Sequence, residues 1–261
     1  MLGEVKFVHS VSKGSKFNQI YIPKDMESVF EAGDMVEVRL IEKKDRIFYS
    51  KNLKDLSEFK RKIVEKVFSI LGRLKEVERI FLFGSFLTSK NEYHDIDVLV
   101  ISDKKLIDSK VYDILNEEFD MKFHIISIQK NKFEQLLKIC PLMRSMMFYT
   151  ISNERIEDLP EREIDKKYLK FLLMLPEDLL EIKLNSRVFY EVLRRLIAIE
   201  EFISKGQIDP VKIDFSLNKE IGEVLLTKIK ENSLIGARGI VEARKFIKIK
   251  LNKINSFLKN E

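Results

Sequence analysis

Two carboxylates one residue apart, Asp95 and Asp97, stand in the otherwise apolar run "HDIDVLVIS". Side chains alternate faces along a strand, so both acids project from one side while Ile96 and Val98 point to the other. Carboxylates that close repel unless something positive sits between them. A hard divalent cation does this: Mg²⁺ takes oxygen ligands, typically one or two carboxylates together with substrate phosphates. Upstream, "FLFGSF" carries the complement. Gly84 lacks a Cβ and lets a phosphate approach the backbone. Ser85 adds a hydroxyl and the N–H groups of a following helix start. Nine residues separate Ser85 from Asp95, enough for a turn or short helix and a return to the neighbouring strand. A lone Asp-x-Asp or Gly-Ser pair is common. In this order, between two very apolar strands, they form an anion cradle beside a metal clamp.

The elements around them follow from periodicity. "DLSEFKRKIVEKVFSILGRLKE" reads as an amphipathic helix with Phe59, Ile63, Val67, Ile70 and Leu74 on one face and Ser57 as its cap. "ERIFLFG" is too apolar to be a half-exposed strand and belongs inside a sheet. "DIDVLVIS" is the next strand, "KVYDILNEEF" a short helix, "MKFHIISI" a third strand, and "NKFEQLLKIC" a helix before Pro141. Before this unit the chain reads as β: a short strand "NQIYIP", a Gly-Asp turn into alternating Val36, Val38 and Leu40, then "RIFYS". After it the pattern is helical only. "KKYLKFLLML" runs to Pro176, Val188, Val192, Leu196, Ile199 and Ile203 line one face of a helix ending near Gly206, and Ile240, Ala243, Ile247, Leu251, Ile254 and Leu258 form one seam of the last helix. The expected fold class is α+β or α/β and multidomain. A small N-terminal β domain (1–52) precedes a central mixed sheet with helices (53–160) and a C-terminal helical bundle (161–261).

"FLFGSF" followed by "HDIDVLV" resembles the signature of the DNA-polymerase-β-like nucleotidyltransferase superfamily, closest to its minimal nucleotidyltransferase domains; the resemblance covers residues 53 to about 130. It implies a nucleotidyltransferase that moves an NMP group from an NTP, ATP in the first instance, to a hydroxyl on a protein, RNA or small molecule, with two Mg²⁺. Gly84 and Ser85 would hold the β- and γ-phosphates, and Asp95 and Asp97 would bind the metals. Residues 16 to 42 resemble, more weakly, the small β-barrel half of the AbrB/SpoVT group. Two hairpins supporting a neighbouring domain give the same pattern.

The family's third carboxylate, in the next strand, is not evident. By analogy with relatives that read acid-x-His in this strand it should fall at Lys122, which cannot bind a cation. Asp120 is the candidate third acid if the strand starts one pair earlier, and Glu191 or Glu200 are candidates from the helical region. His124 is either a neighbour of the metal and acceptor or a buried, hydrogen-bonded strand histidine. His94 is a loop residue near the mouth of the site. Arg187, Arg194 and Arg195 either meet phosphates or form the wet face of a bundle helix. The alternative function is therefore a regulator on the same fold, antitoxin-like or DNA-binding, that binds nucleotide or nucleic acid without transfer.

Composition sets the outer bounds. The chain has 261 residues, 45% hydrophobic and 34% charged, as expected of a globular protein rather than a disordered one. No stretch approaches the roughly 18 apolar residues of a membrane span, and "MLGEVKFVHSV" lacks the pattern of a signal peptide. The single cysteine, Cys140, excludes an internal disulfide and a cysteine-rich zinc site. A cytoplasmic protein is expected, and its Lys, Ile and Glu richness suggests a heat-adapted, archaeal-like or AT-rich source. Net charge is +5. From Arg238 to Glu261 seven basic residues face two glutamates, the signature of a solvated helix face or of a phosphate contact. None of the three histidines lies beyond His124, so the helical region cannot be a ribonuclease of the Arg-then-His type that accompanies minimal nucleotidyltransferases. Oligomeric state, including a dimer, is left open.

Overall fold

The computed structural model describes residues 6–31, 33–39, 46–53, 55–88, 93–104, 106, 108–155, 158–182, 185–206, 208–233 and 235–260. The chain separates into two compact units, 1–44 and 45–261. In the first, Ser12–Lys13 (β1) pairs antiparallel with Asn18–Gln19 (β2), and a 3-10 turn spans Lys24–Met26. The strand expected from Val36 and Val38 does not form among the described residues, and both side chains are exposed. An extended segment needs a neighbour to satisfy its backbone groups, and alternation alone does not supply one. Leu40, the third member of that alternation, lies outside the described residues.

The second unit is built on a five-stranded mixed sheet. Its strands are Phe48–Tyr49 (β3), Val77–Phe83 (β4), Ile96–Ser102 (β5), Phe123–Gln129 (β6) and Ile151–Ser152 (β7), in the order β3-β7-β4-β5-β6. Only β5 and β6 run parallel; the other pairs are antiparallel. Glu58–Leu71 (α1) and Asp108–Glu118 (α2) cover one face. There Ile80, Leu82, Ile96, Val98 and Val100 meet Val64, Val67, Phe68, Val111 and Leu115. Lys130–Ile139 (α3) and Pro141–Met146 (α4) cover part of the other, packing Phe133, Leu137 and Met143 on Phe81, Phe83, Leu99 and Ile101. Each fully buried Phe or Leu in these layers contributes ~1.5–3 kcal/mol of transfer free energy. The two-residue strands β3 and β7 carry too little pattern to be separated by periodicity; "RIFYS" reads as β and finds its partner in β7 across about a hundred residues.

The remaining helices are Lys166–Asp178 (α5), Ser186–Ser204 (α6), Pro210–Ile221 (α7), Glu223–Lys230 (α8) and Ala237–Asn260 (α9). Side chains cap three of them: Asp165 accepts from the Tyr168 N–H, Asn185 from Val188 and Asp209 from Val211. Their apolar faces form one core, with α6 contributing Phe189, Val192, Leu196, Ile199 and Phe202 and α9 contributing Ala243, Ile247, Leu251, Ile254 and Leu258. The α5 helix passes Pro176 and ends at Asp178 rather than stopping before the proline. So close to the C-terminus the missing N–H removes a single bond, and the helix closes two residues later. The mixed sheet and helical region expected from the sequence are borne out. No described helix is long and apolar enough to cross a membrane.

Candidate active site

Strand register brings the chemistry together. In the antiparallel β4–β5 pair Phe83 lies opposite Asp97, so the turn that follows β4 begins beside that acid. Gly84 has φ 83° and ψ −164°, in the positive-φ region where side chains are strained. A Cβ on Gly84 would also lie 1.9 Å from Asp97 Oδ2. Glycine is thus required twice, by backbone conformation and by the approach of the carboxylate. The chain then makes a 3-10 turn over Ser85–Leu87. Phe86 and Leu87 are buried beneath it and Ser85 is exposed above. The Ser85 carbonyl accepts from the Thr88 N–H (3.0 Å) and the Thr88 hydroxyl (2.7 Å).

On the other side of β5 the parallel pairing sets Asp97 beside His124, whose Nδ1 lies 2.9 Å from Asp97 Oδ1. His124 is therefore an exposed strand residue bonded to the acid, not a buried one. Burial pushes the Asp97 carboxyl above the usual carboxylate range; the His124 hydrogen bond opposes this, while the nearby Asp95 charge adds to it. Asp95 precedes β5, is partly buried and has the same parity as Asp97. Among the described residues no Lys or Arg forms an ion pair with either acid. The donors at this point are carboxylate oxygens, and the Asp97 carboxylate fills the space beside the turn that a Cβ on Gly84 would need. Two neighbouring acids with no Lys or Arg partner among the described residues, one of them made costlier to ionise by burial, are oxygen donors of the kind a hard divalent cation such as Mg²⁺ takes.

The other candidate residues are placed elsewhere. Asp120 is exposed in the bend before β6, and the described residues contain no group of three or more His, Cys, Asp or Glu arranged to hold a metal. The Lys122 carbonyl accepts from the Ile96 N–H, joining the start of β5 to β6, and the residue alongside Asp97 is His124. Glu191 pairs with Arg187, and Glu200 is held by Lys250 and Lys253. Arg194 pairs with Asp214 and lies over the Tyr190 ring, while Arg195 donates to the Leu172 carbonyl. These arginines serve the bundle. His94 is exposed in the loop before Asp95.

One residue escaped the sequence reading. Of the row expected for α1, Ile63 and Val67 are buried and Ile70 and Leu74 pack partly buried against the same core, but Phe59, its first member, is 62% exposed. The buried face begins one residue later, at Lys60, which is buried with Ile63, Val64, Val67 and Phe68. The Lys60 ammonium donates to the Thr88 carbonyl (2.8 Å) and lies 5.5 Å from the Phe86 ring centre and 5.3 Å from that of Tyr93. Burial pulls its pKa down. Hydropathy assigns a lysine to the wet face, so only its spacing of three from Ile63 hinted at this.

Residues 65–141, from α1 through β6 to the start of α4, match the family described as Polymerase beta, Nucleotidyltransferase. That segment carries Gly84, Ser85, Asp95 and Asp97, and its match is to nucleotidyltransferase domains of the polymerase-β-like superfamily. Among solved structures, the spectinomycin adenyltransferase AAD(9) from Enterococcus faecialis, determined with ATP and spectinomycin, aligns with 78% of this chain and 100% of its own, at 13% identity and a TM-score of 0.40. No match is found among curated proteins.

Proposed function

We propose that this protein transfers a nucleotidyl group from an NTP, ATP in the first instance, to an acceptor hydroxyl with the help of Mg²⁺. The observation that carries the reading is the fusion of turn and strand: Asp97 Oδ2 occupies the space a Cβ on Gly84 would need. A phosphate held at the turn is thereby set against the carboxylate pair. Gly84 carries no side chain to hold a phosphate oxygen away from the backbone, and the exposed Ser85 offers its hydroxyl. Asp95 and Asp97 would hold Mg²⁺, which when bound stabilises charge on the attacking and leaving oxygens of an in-line displacement. His124 fixes Asp97 Oδ1 and so orients the carboxylate. The P–O bond between the α- and β-phosphates breaks, pyrophosphate leaves, and the acceptor oxygen bonds to the α-phosphorus. The acceptor proton passes to solvent water, directly or by way of the exposed His124 ring, while Asp120 is an exposed bend residue before β6.

A second reading rests on one observation. The family resemblance calls for an acid at position 122 of this strand, where the chain has Lys122, and the register partner of Asp97 is His124. A site with two carboxylates can bind Mg²⁺ and NTP and stop there, as a nucleotide-responsive regulator. Measuring pyrophosphate release and label transfer from α-labelled ATP in the presence of Mg²⁺ separates the two. Transfer by the wild type that is lost in the Asp95→Ala, Asp97→Ala double variant supports the enzyme. ATP binding with no release above that variant leaves the binding reading, and no ATP binding sinks both.

A further inference from the structure

We propose that Lys60 is a positioning residue for the turn at Gly84–Thr88, so that NTP affinity depends on a side chain that belongs to the helix behind the turn. The inference rests on the reading of that turn as the phosphate site. Its basis is a continuous set of contacts. The Lys60 ammonium donates to the Thr88 carbonyl, and the Thr88 N–H and hydroxyl both donate to the Ser85 carbonyl. The same ammonium lies over Phe86, inside the turn, and over Tyr93, where the chain returns toward Asp95. Those two rings meet edge to face with centres 5.0 Å apart. One cation therefore touches both ends of the excursion between β4 and β5.

Its cost shows that this is not incidental packing. Lys60 is 5% exposed in a helix face otherwise made of Ile63, Val64 and Val67, and a charge taken out of water must be offset by hydrogen bonds and ring faces. An apolar side chain there would avoid that cost, but could not bind the Thr88 carbonyl. The turn is thus constrained at both ends: at Gly84 by a backbone conformation and a close approach of Asp97 that admit no Cβ, and at Thr88 by the Lys60 hydrogen bond. Releasing the Thr88 end loosens Ser85 without touching Asp95 or Asp97. The expected signature is weaker NTP binding with turnover retained, the pattern of lost uniform binding.

The test uses the full chain. Lys60→Met keeps the apolar stem under the rings and removes donor and charge; Lys60→Arg keeps both. Thr88→Val removes the hydroxyl that donates to the Ser85 carbonyl and keeps the Thr88 carbonyl that accepts from Lys60. ATP affinity is measured by calorimetry, KM and kcat by pyrophosphate release, and folding by thermal melting. Lys60→Met is expected to bind ATP about tenfold more weakly, the equivalent of ~1.4 kcal/mol, with kcat within about twofold of wild type. Lys60→Arg recovers part of the affinity, and Thr88→Val weakens binding in the same direction. A folded Lys60→Met that binds ATP like wild type overturns the proposal, as does a loss confined to kcat. If Lys60→Met does not fold, an unchanged ATP affinity in Thr88→Val overturns it instead. Wild-type protein that binds no ATP overturns the phosphate-site reading itself, whereas wild-type binding with indifferent variants overturns only the role of Lys60.

Discussion

Asp97 in the sheet and Glu200 in the bundle are acids of nearly equal burial, their side chains 20% and 19% exposed. Their surroundings are opposite. Burial pushes Glu200 up as well, but hydrogen bonds from Lys250 and Lys253 outweigh it and hold its carboxyl below the usual range. Lys250, itself buried, bonds Glu200 at 2.8 Å and Glu220 at 2.9 Å. Asp97 has no such partner: it faces Asp95 and is held by His124, and its carboxyl rises. A buried acid that the fold has neutralised belongs to the structure. One left facing a second acid, with no lysine or arginine to balance it among the described residues, is the basis for the cation site proposed above. The same residue chemistry thus separates a scaffold from a site.

The sharpest way to break this comparison is to remove the site acids. Asp95→Ala with Asp97→Ala should lower nucleotidyl transfer by at least ~10³-fold, because the metal's contribution to the transition state is lost, while the melting temperature does not fall. A variant that unfolds instead would place these acids with the scaffold. Gly84→Ala should be the most damaging single change to stability in the site. A positive φ together with a Cβ 1.9 Å from Asp97 Oδ2 predicts a loss of about 2–3 kcal/mol, visible as a lower urea midpoint, with transfer abolished as Asp97 is displaced.

In the bundle, Lys250→Met should cost about 1–3 kcal/mol, since Glu200 keeps Lys253 and Glu220 is more exposed. The sign with pH follows from the lowered Glu200 pKa. Stability from that ion pair is full above the ordinary carboxylate range and is lost as pH falls through the depressed folded value. Urea melts should therefore show a large gap between wild type and variant at neutral pH and a small one at strongly acid pH. A gap that ignores pH would mean that Lys250 acts through packing alone. Asp97→Asn should do the reverse and stabilise the metal-free protein. With a raised folded pKa, the cost of the charge is absent below the ordinary carboxylate range and complete above the raised value. Relief of that cost would raise the midpoint at neutral pH and leave it unchanged in acid. Adding Mg²⁺ should raise the wild-type melting temperature and leave the variant unmoved.

Much of this site was legible before any coordinates. Alternation along β5 is a local property, so Asp95 and Asp97 could be put on one face, opposite the apolar row of Ile96 and Val98, from the residues alone. The Gly-Ser turn, the helices α1, α2, α3, α6 and α9, and the switch to a helical C-terminal region were readable for the same reason: period and punctuation reside in short windows. What escaped was non-local. The two-residue strands β3 and β7 exist only because each meets a partner far away in sequence. Strand pairing also decided which residue stands beside Asp97: His124, rather than Lys122 or Asp120. Val36 and Val38 show the converse, a good strand pattern without a strand among the described residues.

By itself, then, the sequence determined the chemistry: two oxygen-donor acids on one strand face behind a glycine turn. Tertiary structure decided the company they keep, pressing Asp97 against Gly84, setting His124 beside it, and burying Lys60 behind the turn. The physical reason is that side-chain direction follows from local backbone geometry. Burial and charge pairing, which set what those side chains do, arise only when distant segments pack.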